Sequence, residues 1–149
     1  MNNDYGMSEI SLDGFQLVRG QLFARAPEPS MSIWYSSISF NVACHSALND
    51  CGSIQFLVHS AQRRIIIKPC PSKDRDAVNW QKAPGKHKSK KIECSKFMHH
   101  VFELWGLDKN YHYRATGQLV MADKKVMLLF DFSEPETWRG MKMVNALDR

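Results

Sequence analysis

The sequence of 149 residues lacks the features of a membrane-spanning or secreted protein. Its longest apolar runs, such as residues 126–130, are far shorter than the roughly twenty residues needed to cross a bilayer, so we expect no membrane contact. Residues 1–6 contain neither a positive region nor an apolar stretch, which predicts no secretory signal and a cytoplasmic protein. The four cysteines have wide, irregular spacings without a C-x-x-C pair, which indicates reduced, buried thiols.

Catalytic and metal-binding patterns are also missing. His99 and His100 are neighbours on a predicted helix and therefore point about 100° apart, which prevents them from clamping one ion. Cys44 and Cys94 lie on apolar patterns without an activating motif, which favours a role in the core. There is no glycine-rich phosphate loop and no distinctive pair of acidic residues. We expect no enzyme activity, no cofactor and no metal.

What the sequence does contain is a pattern of strand, helix and hairpin that occurs twice. The first copy places a strand at 38–40, a helix at 41–48 and a hairpin at 54–68. The second copy places them at 92–94, 95–105 and 111–132. Neither copy could bury one helix face and one hairpin alone, so the copies should pack together. The alternative is a chance recurrence, because residue identities between the copies are few.

The repeat predicts one α+β domain over residues 1–149, with a disordered N-terminus of about twelve residues. Its two halves, 31–69 and 92–138, form a pseudo-twofold tandem with a small β-barrel-like core, joined by a connector at 70–91. Alternating apolar and small polar residues predict a single strand over 31–40. Residues 133–138 have the pattern of a capped turn, and the apolar spacing of 141–147 predicts a weak final helix.

The positive charge of the chain is concentrated in one segment. Residues 63–96 contain eleven lysines and arginines but three acids, a net charge of +8, whereas the whole chain carries +5 and its remainder −3. Such asymmetry favours an acidic partner. The run of lysines in the connector and the basic residues of the first hairpin are the predicted nucleic-acid contacts: Arg63, Arg64, Lys68, Lys86, Lys88, Lys90 and Lys91. They would neutralise DNA phosphates while reading little sequence. The alternatives are a solvated linker and an ordinary polar turn.

Aromatic residues on predicted strands offer a second way to bind nucleic acid. Trp34, Tyr35, Tyr111 and Tyr113 could stack on bases if they lie on an exposed face of the sheet. Aromatic residues that alternate along strands are more often part of a core.

Residues 91–115 resemble the AbrB and MraZ families of swapped-hairpin transcription factors, in which a strand enters a helix that ends near Leu-Gly-Leu and a hairpin follows. Residues at the family's structural positions are Ile92, Phe97, Leu104, Gly106, Leu107 and Tyr113. The tandem arrangement is most similar to MraZ.

The resemblance implies a swapped-hairpin fold and a DNA-binding transcription regulator. The family's Gly-Arg pair before the helix is absent, so its DNA-contact position carries over to Lys90 or Lys91 alone. The other interpretation is a non-catalytic interaction module that binds an acidic protein. Exposed sheet edges leave homo-oligomer formation open.

Overall fold

The computed structural model describes residues 7–18, 28–81 and 91–144. Within these ranges the chain forms ten strands and two helices. The first half contains β1 (Ser30–Ile33), β2 (Ser37–Phe40), α1 (Val42–Ala47), β3 (Ser53–His59), β4 (Arg64–Cys70) and β5 (Val78–Asn79). The second contains β6 (Ile92–Glu93), α2 (Ser95–Trp105), β7 (His112–Ala122), β8 (Lys125–Asp131), β9 (Glu136–Arg139) and β10 (Lys142–Val144).

The predicted order of strand, helix and hairpin occurs in both halves, as β2-α1-β3-β4 and as β6-α2-β7-β8. Each pair of neighbouring strands is antiparallel, which confirms a small α+β fold. The main path across the sheet is β5-β3-β4-β8-β7-β1-β2-β6, while β9 pairs with the start of β7 and β10 pairs with β9. The two halves meet at three strand pairs, β1 with β7, β2 with β6 and β4 with β8.

The prediction of one strand over 31–40 was wrong, because the chain turns back on itself there. The backbone N–H of Trp34 donates to the carbonyl oxygen of Ser37, with N···O 2.8 Å, and Ile33 stands opposite Ile38. Tyr35 and Ser36 therefore form a two-residue turn between β1 and β2. This turn places Trp34 at the tip of a hairpin.

The C-terminal segment also differs from its prediction. The predicted capped turn contains the start of β9, and residues 142–144 form β10 instead of part of a helix. Lys142 stands opposite Arg139, and Gly140 takes a left-handed φ of 61° in the tight turn between them. Cross-strand pairing with β9 has overridden the helical spacing of a short segment, since the propensity of so few residues is a weak constraint.

The sheet curls around a shared core. Phe40 on β2 is five strands away from β3 along the sheet, which in a flat sheet would be roughly 24 Å at about 4.8 Å per strand. The ring centroids of Phe40 and Phe56 are nevertheless 6.2 Å apart. Phe40 also contacts the rings of Trp80 and Phe130, at 5.2 and 6.1 Å. The sheet is therefore a half-barrel with Phe40 inside it.

Helix α2 has the predicted bounds and closes one side of this core. Met98, Val101, Phe102 and Trp105 are buried. The helix ends at Gly106, which has a left-handed φ of 63°, a conformation that glycine adopts without the strain of a side chain. The indole N–H of Trp105 donates to the carbonyl oxygen of Ser60, at 3.0 Å, and ties the helix to the turn of the first hairpin.

In the described part of the chain, neither helix has the length and apolar character needed to cross a membrane.

Replacement of Phe40 by alanine tests the curled core. Phe40→Ala should lower the free energy of unfolding by about 3–5 kcal/mol, because the ring is 4% exposed and its loss leaves a cavity between strands from both ends of the sheet. Urea unfolding measures the change. Leu104→Ala, at a position on α2 that is 48% exposed, is the control and should stay within about 0.5 kcal/mol of the wild type. Equal, small losses in both variants would contradict the half-barrel.

Candidate nucleic-acid interface

The predicted contact residues fall into three groups. Lys86, Lys88 and Lys90 lie outside the described residues. Arg63, Arg64 and Lys68 belong to the first hairpin. Lys91 is the last residue of the connector and immediately precedes β6.

The two arginines of the first hairpin are held by local contacts. Arg64 Nε lies 3.5 Å from Asp131 Oδ2, with both side chains almost half exposed. The backbone N–H of Ser133 donates to Asp131 Oδ1 at 2.9 Å, and this bond, together with Arg64, holds the pKa of Asp131 below its usual value. The carbonyl oxygen of Arg63 accepts from the N–H of Phe132 at 2.8 Å. An exposed ion pair of this kind adds at most about 1 kcal/mol of stability, but it partly offsets the positive charge of Arg64.

Lys68 lies away from this turn. It is four positions beyond Arg64 along β4, a distance of about 13 Å, and the two side chains share the outer face of the sheet. Lys68 is half-buried there. The cations of the first hairpin are therefore spread along a strand instead of meeting at one point.

Lys91 is part of a more compact arrangement, which we call the basic aromatic ladder. Lys91 Nζ lies 4.5 Å from the centroid of the Trp34 ring. Trp34 stacks on His112, with centroids 4.5 Å apart and planes inclined by 22°. His112 is in turn nearly parallel to Trp138, with centroids 6.1 Å apart. The guanidinium of Arg114 lies 4.7 Å from the centroid of Trp138.

Strand register brings the ladder together. The start of β7 lies between β1 and β9, with Ile33 opposite Tyr113 and His112 opposite Trp138. Trp34 follows Ile33 and so comes to lie beside His112. Arg114 is two residues beyond His112 and therefore shares its face of the sheet.

Two hydrogen bonds orient the polar groups of the ladder. Arg114 Nε donates to Ser32 Oγ at 3.2 Å. The indole N–H of Trp138 donates to Glu136 Oε1 at 3.0 Å. The ladder thus contains two cations and one carboxylate, and its rings are fixed before any ligand binds.

The environment of His112 keeps its ring neutral. Burial, followed by the nearby charges of Arg114 and Lys91, lowers the pKa of His112. Both influences act in the same direction, because a positive charge on the imidazole would be poorly solvated and would repel two cations. At neutral pH the positive charge of the ladder therefore comes from Lys91 and Arg114.

The lysine-rich part of the connector, residues 82–90, has fixed residues on both sides. On its N-terminal side, Trp80 is buried, and its indole N–H donates to the carbonyl oxygen of Cys51 at 2.7 Å. The side-chain amide of Gln81 donates to the carbonyl oxygen of Asp50 at 3.0 Å. At its end, Lys91 lies over Trp34. The lysine-rich residues 82–90 therefore join two fixed points of the fold.

A second aromatic stack adjoins the ladder. Tyr35 follows Trp34 in the chain and stacks on His99 of α2, with centroids 3.8 Å apart. The rings of Tyr35 and Phe102 meet edge to face, with centroids 5.6 Å apart. A cleft of about 480 Å³ opens beside this stack and is lined by Tyr35, His99, Phe102, Glu103, Leu107 and Lys109.

The aromatic residues singled out from the sequence differ in their surroundings. Trp34 and Tyr35 belong to the two stacks, and Tyr35 is 37% exposed. Tyr113 is buried, and its hydroxyl oxygen accepts from the N–H of Asp108 at 2.9 Å, which is a core role. Tyr111 is half-buried.

Sequence reasoning missed His112, Arg114 and Trp138. The signal for the first two was their spacing of two residues on a predicted strand, which puts a histidine and an arginine on one face. Trp138 carried no such signal, because residues 133–138 had the pattern of a turn and β9 was not predicted.

Cys44 is buried, whereas Cys51, Cys70 and Cys94 are of intermediate exposure, so the prediction of buried thiols is confirmed for Cys44 alone. Burial raises the pKa of the Cys44 thiol to about 12 and that of Cys94 to about 11. Both thiols are therefore protonated at neutral pH, the less nucleophilic state. Among the described residues, no group of three or more His, Cys, Asp or Glu side chains is placed to hold a metal ion.

Comparison with protein-family models, curated proteins and solved structures gives no match for this chain. The function of the chain is therefore inferred from its own residues and their geometry.

The lowered pKa of His112 predicts a specific dependence of stability on pH. The unfolded chain binds a proton at His112 more readily than the folded chain, so acidification through the ordinary histidine range should lower the free energy of unfolding. His112→Gln removes this contribution and should lose less stability between about pH 8 and pH 5 than the wild type does. Urea unfolding at several pH values measures the slope. An unchanged slope in His112→Gln would contradict the assignment.

Proposed function

We propose that the protein binds nucleic acid through the basic connector and the basic aromatic ladder, and that it acts as a DNA-binding transcription regulator. The observation that carries the proposal is the position of Lys91 over Trp34. It attaches the end of the most basic segment of the chain to a surface of stacked rings and a second cation, Arg114.

The charge of the connector supplies the affinity in this proposal. Lysines that neutralise phosphates release condensed counterions, so binding weakens steeply as salt increases. Because Gln81 and Lys91 are fixed on the fold, the nine residues between them would offer their lysines next to the ladder instead of at a distant tail. Lys91 and Arg114 would add two charges at fixed positions.

The ladder adds a contact that phosphate binding alone does not provide. A guanidinium group stacks on nucleobases, and such stacking tolerates any base, so Arg114 would contact a base on the side that does not face Trp138. A nucleic acid that reaches Trp34 or Trp138 would also meet a cation within about 5 Å of each ring. This combination favours a nucleic acid over a simple polyanion.

Pairing between equivalent strands supports the tandem, swapped-hairpin interpretation of the fold. Strand β2 of the first half pairs antiparallel with β6 of the second, and β4 pairs antiparallel with β8. In addition, β5 pairs with the start of β3 just as β9 pairs with the start of β7. A pseudo-twofold relation between the halves, arising from an internal duplication, accounts for all three correspondences.

One observation favours the second candidate function, an interaction module for an acidic protein. The outer face of the sheet has an apolar stripe of Leu57, Ile66 and Leu129, which align across β3, β4 and β8. Arg64 and Lys68 flank Ile66 on the same face. An apolar stripe flanked by cations suits an amphipathic acidic segment better than a phosphate backbone.

Charge reversal of Lys91 tests the proposed interface. Lys91→Glu should weaken binding to random-sequence DNA about tenfold at low salt and reduce the slope of log affinity against log salt by about one. Fluorescence anisotropy with labelled duplex and single-stranded DNA, at about 50 and 200 mM salt, measures both quantities.

Lys125→Glu is the matched control, since it makes the same change in net charge at an exposed site. Lys125 pairs with Ala122, nine residues along β7 from Tyr113, which places it about 30 Å from the ladder. Lys125→Glu should lose clearly less affinity for DNA than Lys91→Glu does. Equal losses in the two variants would contradict the ladder as the interface, and no binding at low salt would favour the acidic-protein alternative.

A further inference from the structure

The chain has a second feature that the proposed function does not use, an apolar segment that lies in solvent ahead of β1. We call residues 7–18 the N-terminal arm. Its large apolar side chains are 54–92% exposed, and they are Met7, Ile10, Leu12, Phe15, Leu17 and Val18. Such a concentration of exposed apolar surface in a short segment is typical of an interaction site.

The arm has local order of its own. The N–H of Phe15 donates to the carbonyl oxygen of Leu12 at 3.0 Å, and Gly14 takes a φ of 86° inside this turn. Ile10 and Leu12 stand two residues apart before the turn, as Phe15 and Leu17 do after it. In extended backbone each pair would face one side, with Gln16 facing the other.

The fold presents a groove of matching character between α1 and β7. Its volume is about 710 Å³, and its apolar wall consists of Pro29, Val42, Ala43, Ala47 and Leu119. Val42 and Leu119 are 49% and 53% exposed. The remaining lining residues, Asn41 and Ser46, are uncharged. The groove therefore suits an apolar segment that brings no charge into it.

Within one chain the arm and the groove both remain uncovered. The arm joins the fold at Pro29, which is itself part of the groove wall. Ten residues, 19–28, separate the arm from Pro29, and ten residues can span at most about 35 Å. That reach is sufficient for the arm to cross to a second copy whose groove faces the first across a two-fold axis.

The apolar area is large enough for a stable dimer. Full burial of an apolar side chain removes roughly 60–120 Å² from water, so the four side chains Ile10, Leu12, Phe15 and Leu17 of one arm would bury about 240–480 Å². With two arms and groove surfaces of similar area, the total is about 1,000–1,900 Å². Specific protein interfaces bury about 1,200–2,000 Å².

We propose that the N-terminal arm packs into the α1–β7 groove of a second copy of this chain, and that reciprocal exchange of the arms forms a two-fold dimer. The same two surfaces meet twice, as an isologous interface requires. The dimer does not depend on nucleic acid.

The test uses full-length protein in sedimentation velocity over the micromolar range, without nucleic acid. The wild type should dimerise, and Leu17→Asp should raise the dissociation constant about tenfold or more. Leu17 is 92% exposed in the single chain, so its replacement leaves the fold intact. Gln16→Asp adds the same charge at the adjacent exposed position and should dimerise like the wild type.

Val42→Asp tests the groove from the other side. Val42 is the first residue of α1 and is half exposed, a position where an acidic side chain is compatible with the helix. This variant should also be monomeric where the wild type is dimeric. A mixture of Leu17→Asp and Val42→Asp retains one intact arm and one intact groove, so it should form a heterodimer more readily than either variant dimerises alone.

Three results would overturn the proposal. The first is a wild-type protein that remains monomeric at all concentrations. This includes a monomer in which the arm binds the groove of its own chain and is thereby protected from proteolysis. The second is dimerisation that Leu17→Asp leaves unchanged. The third is a mixture of the two variants that associates no better than its components.

Discussion

Packing of Phe40 against rings from the far end of the sheet is the contact on which the rest of the structure depends. Phe40 reaches Phe56, Trp80 and Phe130, although β2 and β3 are five strands apart along the sheet. Without that contact the two hairpins would form an open sheet, with one apolar face in water. Burial of these rings offsets the free-energy cost of curving the sheet, since apolar area removed from water is the main favourable contribution to folding.

The candidate interface is a consequence of the same topology. Strand β7 is long enough to pair with β8 at its end and with both β1 and β9 at its start. Three strands therefore contribute to one surface, and the rings of Trp34, His112 and Trp138 stack there. The stack keeps His112 neutral between two cations, so the surface presents fixed positive charge beside flat apolar rings. The proposed contact with nucleic acid rests on this combination of charge and rings.

Local patterns predicted the parts of the fold that depend on near neighbours. The bounds of α2 follow from its apolar rows and from Gly106, which ends the helix in the left-handed conformation. The first hairpin follows from two apolar runs separated by a polar turn. Residues 31–40 were misjudged because alternation continues across a two-residue turn, and only the pairing of β1 with β2 and β7 distinguishes a hairpin from a strand. Lys91 was predicted as a contact because of its charge. Arg114 and Trp138 were not predicted as contacts, because the sequence did not show that β7 pairs with β1 and β9.

The sequence by itself determined a segment with a net charge of +8, two helix-and-hairpin units and cysteines too widely spaced for a C-x-x-C pair. These are local properties, since charge, periodicity and turn residues act over a few positions. The tertiary structure alone decided that Lys91 lies over Trp34, that His112 separates two indole rings and that α1 and β7 leave a groove open. Those juxtapositions join residues far apart in the chain, and strand register, which no local pattern encodes, sets them.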